Sequence, residues 1–228
     1  MQQLDPGQGK TKRAYLWAYR SGDLDDGPRI AVFDYQTGRS GAHARAFLDG
    51  WQGHLVVDDY AGYKALFAAG VIEVGCMAHA RRKFFELHKA NQNPVAGEAL
   101  QRISELYEIE SRGRELANAE RQALREREAL PKLQAMQDWL QRTRDSVADG
   151  SSLARAIDYS LKRWTALSRY AQSAILPIDN NPVENVIRPI ALGKKNWLFT
   201  GSERSGRSAA AIQSLLATAK LNDLEPAA

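Results

Sequence analysis

Two carboxylates in this sequence stand where they could do chemistry. Glu184 lies in the run Ile178-Asp179-Asn180-Asn181-Pro182-Val183-Glu184-Asn185-Val186-Ile187-Arg188, followed by Gly193-Lys194-Lys195-Asn196-Trp197 and then by Arg204, Gly206 and Arg207. A carboxylate beside a glycine-interrupted track of cations suits a metal ion facing a phosphate backbone. The same residues also make a complete helix start. Asn180 or Asn181 can cap it, Pro182 suits its first turn, and Glu184 can close a capping box with Asn181 and pair with Arg188. Asp58 is the other carboxylate. It follows the apolar run His54-Leu55-Val56-Val57, and the C-terminal end of a buried strand is where α/β sheets place ligand and catalytic groups. Strand alternation turns its neighbour Asp59 to the opposite face. The competing reading makes one of these two acids a cap for a helix starting near Tyr60.

Cys76-Met77-Ala78-His79 has the two-residue gap of a zinc half-site, but the chain offers one cysteine, and His43, His54 and His88 are scattered, so nothing completes it. Cys76 reads instead as a buried strand end, with His79, Arg81, Arg82 and Lys83 opening a basic helix. His79 can donate to phosphate there, or simply pack.

The elements that must position these groups are mixed in kind. Residues 4–12 read as a turn or loop, marked by Asp5-Pro6-Gly7 and Gly9. Residues 14–19 and 29–35 read as strands, and the short polar connection between them makes them antiparallel neighbours. A short helix at 43–48 ends at Gly50. A strand at 54–57, a helix at 60–69 and a strand at 71–74 follow. From residue 94 to 172 the strand signals vanish, and Leu100, Ile103, Leu106, Tyr107, Leu116 and Leu124 recur at helical spacing among charges of both signs. Pro131 and the break Asp149-Gly150-Ser151-Ser152 divide this stretch into about three helices, whose charges read as solvated faces. The expected organisation is therefore a core formed by residues 1–93 and 173–228, interrupted by a helical insertion at 94–172.

With 228 residues the chain has ample material for a core. Its net charge of +4 and pI near 9.2 permit a polyanionic partner without demanding one. A single cysteine excludes an intrachain disulfide framework and fits a reducing cytosol. The first residues are polar and turn-forming, and no apolar run approaches a membrane span, so the expectation is a soluble cytoplasmic protein.

Taken together, three runs resemble the successive signatures of one transposase group: Leu55-Val56-Val57-Asp58-Asp59-Tyr60-Ala61-Gly62-Tyr63, then Gly75-Cys76-Met77-Ala78-His79-Ala80-Arg81-Arg82-Lys83-Phe84, then Asn180 to Asn185 with Gly193 to Phe199. The group is the bacterial insertion-sequence family 66, and the likeness runs from Asp5-Pro6-Gly7 to Ala217-Thr218-Ala219-Lys220. The resemblance implies a DDE catalytic domain, an α/β fold with a ribonuclease-H-like mixed sheet, and a helical insertion between the last two acids. Asp58 matches the second catalytic aspartate and Glu184 the catalytic glutamate. Both would hold Mg²⁺ or Mn²⁺ for strand cleavage and strand transfer at transposon ends. The implied partners are DNA, as terminal inverted repeats and target, together with a homo-oligomer or accessory proteins of the same element. His79, Arg81, Arg82, Arg188, Lys194, Lys195, Arg204 and Arg207 are the expected DNA-binding residues, whereas Trp197 and Phe199 read as core.

One departure from the family pattern matters. Its first aspartate belongs to an Asp-Glu-Thr motif on the central first strand, before the segment matching residues 4–7, and nothing here matches it. Asp5 falls in a turn and Asp34 on a different strand. The expectation is a fragment lacking that aspartate and its strand, with open edges at residues 14–19 and 54–57 and no strand transfer on its own. Two other classes stay open, a DNA-binding regulator without catalysis and a different ribonuclease-H-like nuclease. Loss of metal-dependent cleavage with retained binding would mark the first. Preference for RNA–DNA hybrids or four-way junctions would mark the second.

Overall fold

The computed structural model describes residues 2–5, 9–24, 26–193 and 200–225. The chain opens with a hairpin, β1 (Gln2–Asp5) antiparallel to β2 (Lys10–Arg13), with Gln2 opposite Arg13. The loop expected over residues 4–12 is thus in part paired strand, and Gly9 takes a φ of +58°. Leu4 and Asp5 instead pair with Thr11 and Lys10. β3 (Tyr15–Arg20) and β4 (Ala31–Gln36) form the expected antiparallel pair, with Tyr15 opposite Gln36 and Arg20 opposite Ala31. α1 (Gly41–Phe47) starts at Ser40, whose hydroxyl accepts from the Ala42 N–H, and gives way before Gly50, at φ +69°. β5 (His54–Val57) matches its sequence expectation, and a 3₁₀ turn (Ala61–Tyr63) leads into α2 (Lys64–Ala68). β6 (Ile72–Gly75) pairs in parallel with β5, Val57 opposite Gly75. Among the described residues the strands make three two-stranded sheets, so the mixed α/β class holds.

The helical stretch is longer and more divided than the sequence suggests. α3 (Met77–Asn91) is the basic helix, and α4 (Pro94–Gly113) is capped by Asn93. α5 (Asn118–Leu124) runs through a π turn (Arg125–Ala129) into α6 (Leu130–Asp145). Pro131 therefore does not divide the region: the helical backbone runs through the π turn and past it into α6. The expected break near Gly150 is real, with Ser151 capping α7 (Ser152–Lys162). α8 (Trp164–Ser168) and a 3₁₀ turn (Arg169–Gln172) close the region. α9 (Asn181–Gly193) holds Glu184 in its first turn and Pro189 in its interior, and α10 (Glu203–Leu221) is capped by Ser202. No helix among the described residues is long and apolar enough to cross a membrane.

Two compact units result, one of Met1–Gln52, Tyr60–Gly70 and Asn181–Ala228, the other of Gly53–Asp59 and Val71–Asn180. In the first, Ala14, Phe33, Tyr35 and Ala210 are buried together, with Val186 and Ile190 of α9 packed against them. Helix α10 seals the outer edge of β4. The Phe33 N–H donates to the Ser214 hydroxyl at 2.8 Å, the Ala31 N–H donates to Thr218 Oγ1 at 3.1 Å, and that hydroxyl donates back to the Ala31 carbonyl at 3.0 Å. In the second unit, Val74, Met77 and Phe84 share one core with Ile103, Leu106, Leu133, Leu140, Ile157 and Leu167. The charges of this helical region are not all solvated, contrary to expectation. Arg125 is fully buried, donating to Glu110 at 2.9 and 2.5 Å and to the Tyr170 carbonyl at 3.0 Å. Arg121 donates to the carbonyls of Gly113, Leu116 and Ala174. Guanidinium groups can satisfy several orphaned carbonyls at once, and that geometry draws both inward.

Candidate functional site

Parallel pairing in register does the first step of assembly. Because Val57 lies opposite Gly75, the residues that follow, Asp58 and Cys76, leave adjacent strand ends side by side. Gly75 makes that ending possible: a Cβ there would press on Leu167 and the Ala166 backbone. The chain then returns to the same place from a distance. The Met77 N–H donates to the Ile178 carbonyl at 3.0 Å, the Cys76 thiol donates to Asn180 Oδ1 at 3.0 Å, and the Asn180 N–H reaches the sulfur at 3.4 Å. His79 Nδ1 lies 3.1 Å from the same sulfur. With the thiol proton committed to Asn180, the Nδ1–H tautomer is the one that fits. Next to it, the Tyr107 hydroxyl donates to buried Asp179 at 2.6 Å.

The electrostatics identify Cys76 as a structural thiol. Burial pushes it up from 9.0 to about 11, the hydrogen bonds from Asn180 and His79 oppose that, and the charge of Asp179 adds to it. A thiol held protonated is no nucleophile at neutral pH. Tyr107 is pushed up by burial, by the hydrogen bond it donates to Asp179 and by the Asp179 charge. Tyr159, on α7, is raised to about 12, mainly by burial, with Arg163 opposing and the charges of Asp59, Cys76 and Asp58 adding. That sensitivity places Tyr159 within the field of both acids.

Asp58 is exposed just beyond β5, and neither it nor Asp59 caps the following turn, which has no side-chain cap. Asp59 does not continue the strand pleat: its φ is +83°, so the alternation expected of it stops at Asp58. Its carboxylate pairs with Arg163, which also donates to Glu73 at 2.6 Å. The second half of the same motif packs the first unit. Trp17 meets the Tyr60 and Tyr63 rings at 5.9 and 6.2 Å, and a side chain at Gly62 would strike the Tyr60 ring.

The basic residues divide between the two units. Arg81 and Arg82 are exposed on α3, with Arg81 lying 5.7 Å over the Phe85 ring. Arg188 on α9 and Arg204 on α10 are exposed, and Arg207 pairs on the surface with Glu203 at 2.5 Å. His79 is half-buried, with Nδ1 turned to the thiol. Glu184 is half-buried in the first unit, whereas Asp58 belongs to the second. Lys194, Lys195, Trp197 and Phe199 lie outside the described residues. Among those described, no three His, Cys, Asp or Glu side chains gather as a metal site.

Sequence reasoning missed Arg163, Tyr107 and the use of Asp179 and Asn180 as anchors. The motif signalled Asn180, but as a cap, and Arg163 has no local signal at all.

A family model described as "Transposase IS66 family" matches residues 1–208. The "Uncharacterized protein y4hP" of Sinorhizobium fredii is 34% identical over 233 residues, covering 93% of this chain and 42% of that protein. "Uncharacterized protein y4qI" of the same organism is 35% identical over 234 residues, covering 98% of this chain and 43% of its own length. The chain thus spans less than half the length of these curated relatives. No solved structure matches it.

Proposed function

The chain belongs to the insertion-sequence 66 transposase family, and from that premise we propose that it is a DDE-type catalytic domain acting on DNA by phosphoryl transfer. What supports this most is that all three signature runs reach the ends of one parallel strand pair: Asp58 and Cys76 follow the paired residues Val57 and Gly75, and the Cys76 thiol donates to Asn180. An antiparallel pair followed by a parallel pair, with an acid at the end of the first parallel strand, also suits a ribonuclease-H-like fold.

In this proposal Asp58 and Glu184 are the carboxylates for Mg²⁺ or Mn²⁺. When bound, such ions activate the attacking oxygen and stabilise the leaving one. The donors fit a hard divalent cation in kind, both being carboxylate oxygens. The work assigned to the chain itself is binding and orientation. Arg81, Arg82, Arg188, Lys194, Lys195, Arg204 and Arg207 hold phosphates, while the thiol-centred network fixes the segment just before α9 and Glu184.

The test has two arms. DNA carrying the element's terminal repeats should bind with a salt slope that Arg81→Ala/Arg82→Ala lowers by roughly 0.9 per lost contact; an unchanged slope returns both arginines to the solvated surface. Strand cleavage at those repeats should require Mg²⁺ or Mn²⁺. Asp58→Ala or Glu184→Ala should then each slow cleavage by roughly 10²–10³-fold. Cleavage indifferent to both substitutions would sink the proposal.

A further inference from the structure

Arg163 reaches across the fold to the residue beside Asp58. Its guanidinium pairs with Asp59 through Nη1 and with Glu73 of β6 through Nη2 at 2.6 Å, and its side chain is only 11% exposed. The partners lie 104 and 90 residues away in sequence. Arg169 donates to the Glu73 carbonyl, so that strand is held on its backbone as well. The Tyr159 ring backs the guanidinium at 5.7 Å, limiting where the arginine can swing. On the other side of the pair stands an unusual backbone: Asp59, at φ +83°, is one of few non-glycine residues here in the left-handed region. That region disfavours L side chains, so something must hold Asp59 in it.

We infer that Arg163 is a positioning residue for the proposed active site: by clamping Asp59 against Glu73 it holds the left-handed turn that sets the direction of Asp58. This rests on Asp58 being a metal carboxylate. The two adjacent acids then have separate tasks, Asp59 fixed to the scaffold and Asp58 presented to the ion. Arg163 acts through backbone geometry and touches neither metal nor substrate.

Glycine adopts positive φ without strain, and this supplies the discriminating variant. If Arg163 acts by holding φ at Asp59, Asp59→Gly makes it dispensable; if it merely packs the fold, Asp59→Gly does not. The measurements are Mn²⁺ affinity by water-proton relaxation and the φ-sensitive backbone couplings of residue 59 by NMR, both on the 228-residue chain. Arg163→Met, which keeps the packing stem, should abolish the left-handed signature and weaken Mn²⁺ binding about tenfold. Arg163→Lys, reaching one carboxylate at a time, should weaken it about threefold. In the Asp59→Gly background either substitution should change affinity less than twofold. Equal losses in both backgrounds, or a left-handed signature that survives Arg163→Met, overturn the clamp. Should Arg163→Met fail to fold, the lysine variant in the two backgrounds decides in the same way. Mn²⁺ binding insensitive to Asp58→Asn would overturn the metal assignment instead, and the couplings at residue 59 would still decide the clamp.

Discussion

At the end of β6 the Cys76 thiol carries a pH dependence of definite sign. Its pKa rises from 9.0 to about 11 on folding, chiefly through burial. Below pH 9 folded and unfolded chains both hold the proton. Between about 9 and 11 the unfolded chain releases it while the folded one keeps it, so stability falls as pH rises, by roughly 3 kcal/mol across the window. Tyr107 is raised as well and adds the same sign at higher pH. Urea midpoints measured from pH 8 to 11 should show Cys76→Ala with a shallower decline than the parent, whatever its starting stability; parallel curves would remove the thiol from the account. The same residue shows what was legible of the site. Asp58 could be picked out because an apolar run stops at it, and Cys76 because a strand ends there. The bond from Cys76 to Asn180 spans 104 residues, and no local pattern carries it. Asn180 has the residue type of a helix cap, and its side chain is spent on the thiol instead. Arg163 sits among helical charges indistinguishable in sequence from those facing water.

The element with the clearest dependence on side-chain hydrogen bonds is β4. One edge pairs with β3, and the other gives its Ala31 and Phe33 N–H groups to hydroxyls four residues apart on α10. Ser214→Ala or Thr218→Val leaves a strand N–H short of its acceptor, at a cost of about 1–3 kcal/mol each. Ser208→Ala, exposed on the same helix, should stay within about 0.5 kcal/mol. Urea unfolding separates them, and equal effects at all three positions would mean that α10 does not seal this edge. Elements were legible where local pattern and tertiary environment agree. β5 is recovered to the residue because His54-Leu55-Val56-Val57 is apolar and bounded by polar neighbours. The β1–β2 hairpin was lost because turn residues dominate its sequence, while its pairing comes from backbone groups that leave no side-chain signature. Pro131 misled for a related reason: a proline usually ends a helix or starts one, whereas here the helical backbone continues from α5 through the π turn and past it into α6.

At the scale of the whole molecule the two compact units differ in what holds them. Among the described residues the second has twenty-two core residues in one cluster, whereas the first has four. Apolar burial contributes roughly 25 cal/mol per Å², so the larger core gives the second unit more intrinsic stability. The buried Arg125–Glu110 pair adds a further dependence, because removing one partner strands the other charge, at about 3–5 kcal/mol. Chains with unequal cores unfold in separable steps. Hydrogen exchange under increasing urea should therefore release β3, β4, α9 and α10 at lower denaturant than β6, α3, α4 and α7. Arg125→Met should bring the second step down toward the first and leave the first in place. A single transition shared by all amides, shifted as a whole by Arg125→Met, would show that the two cores stand or fall together.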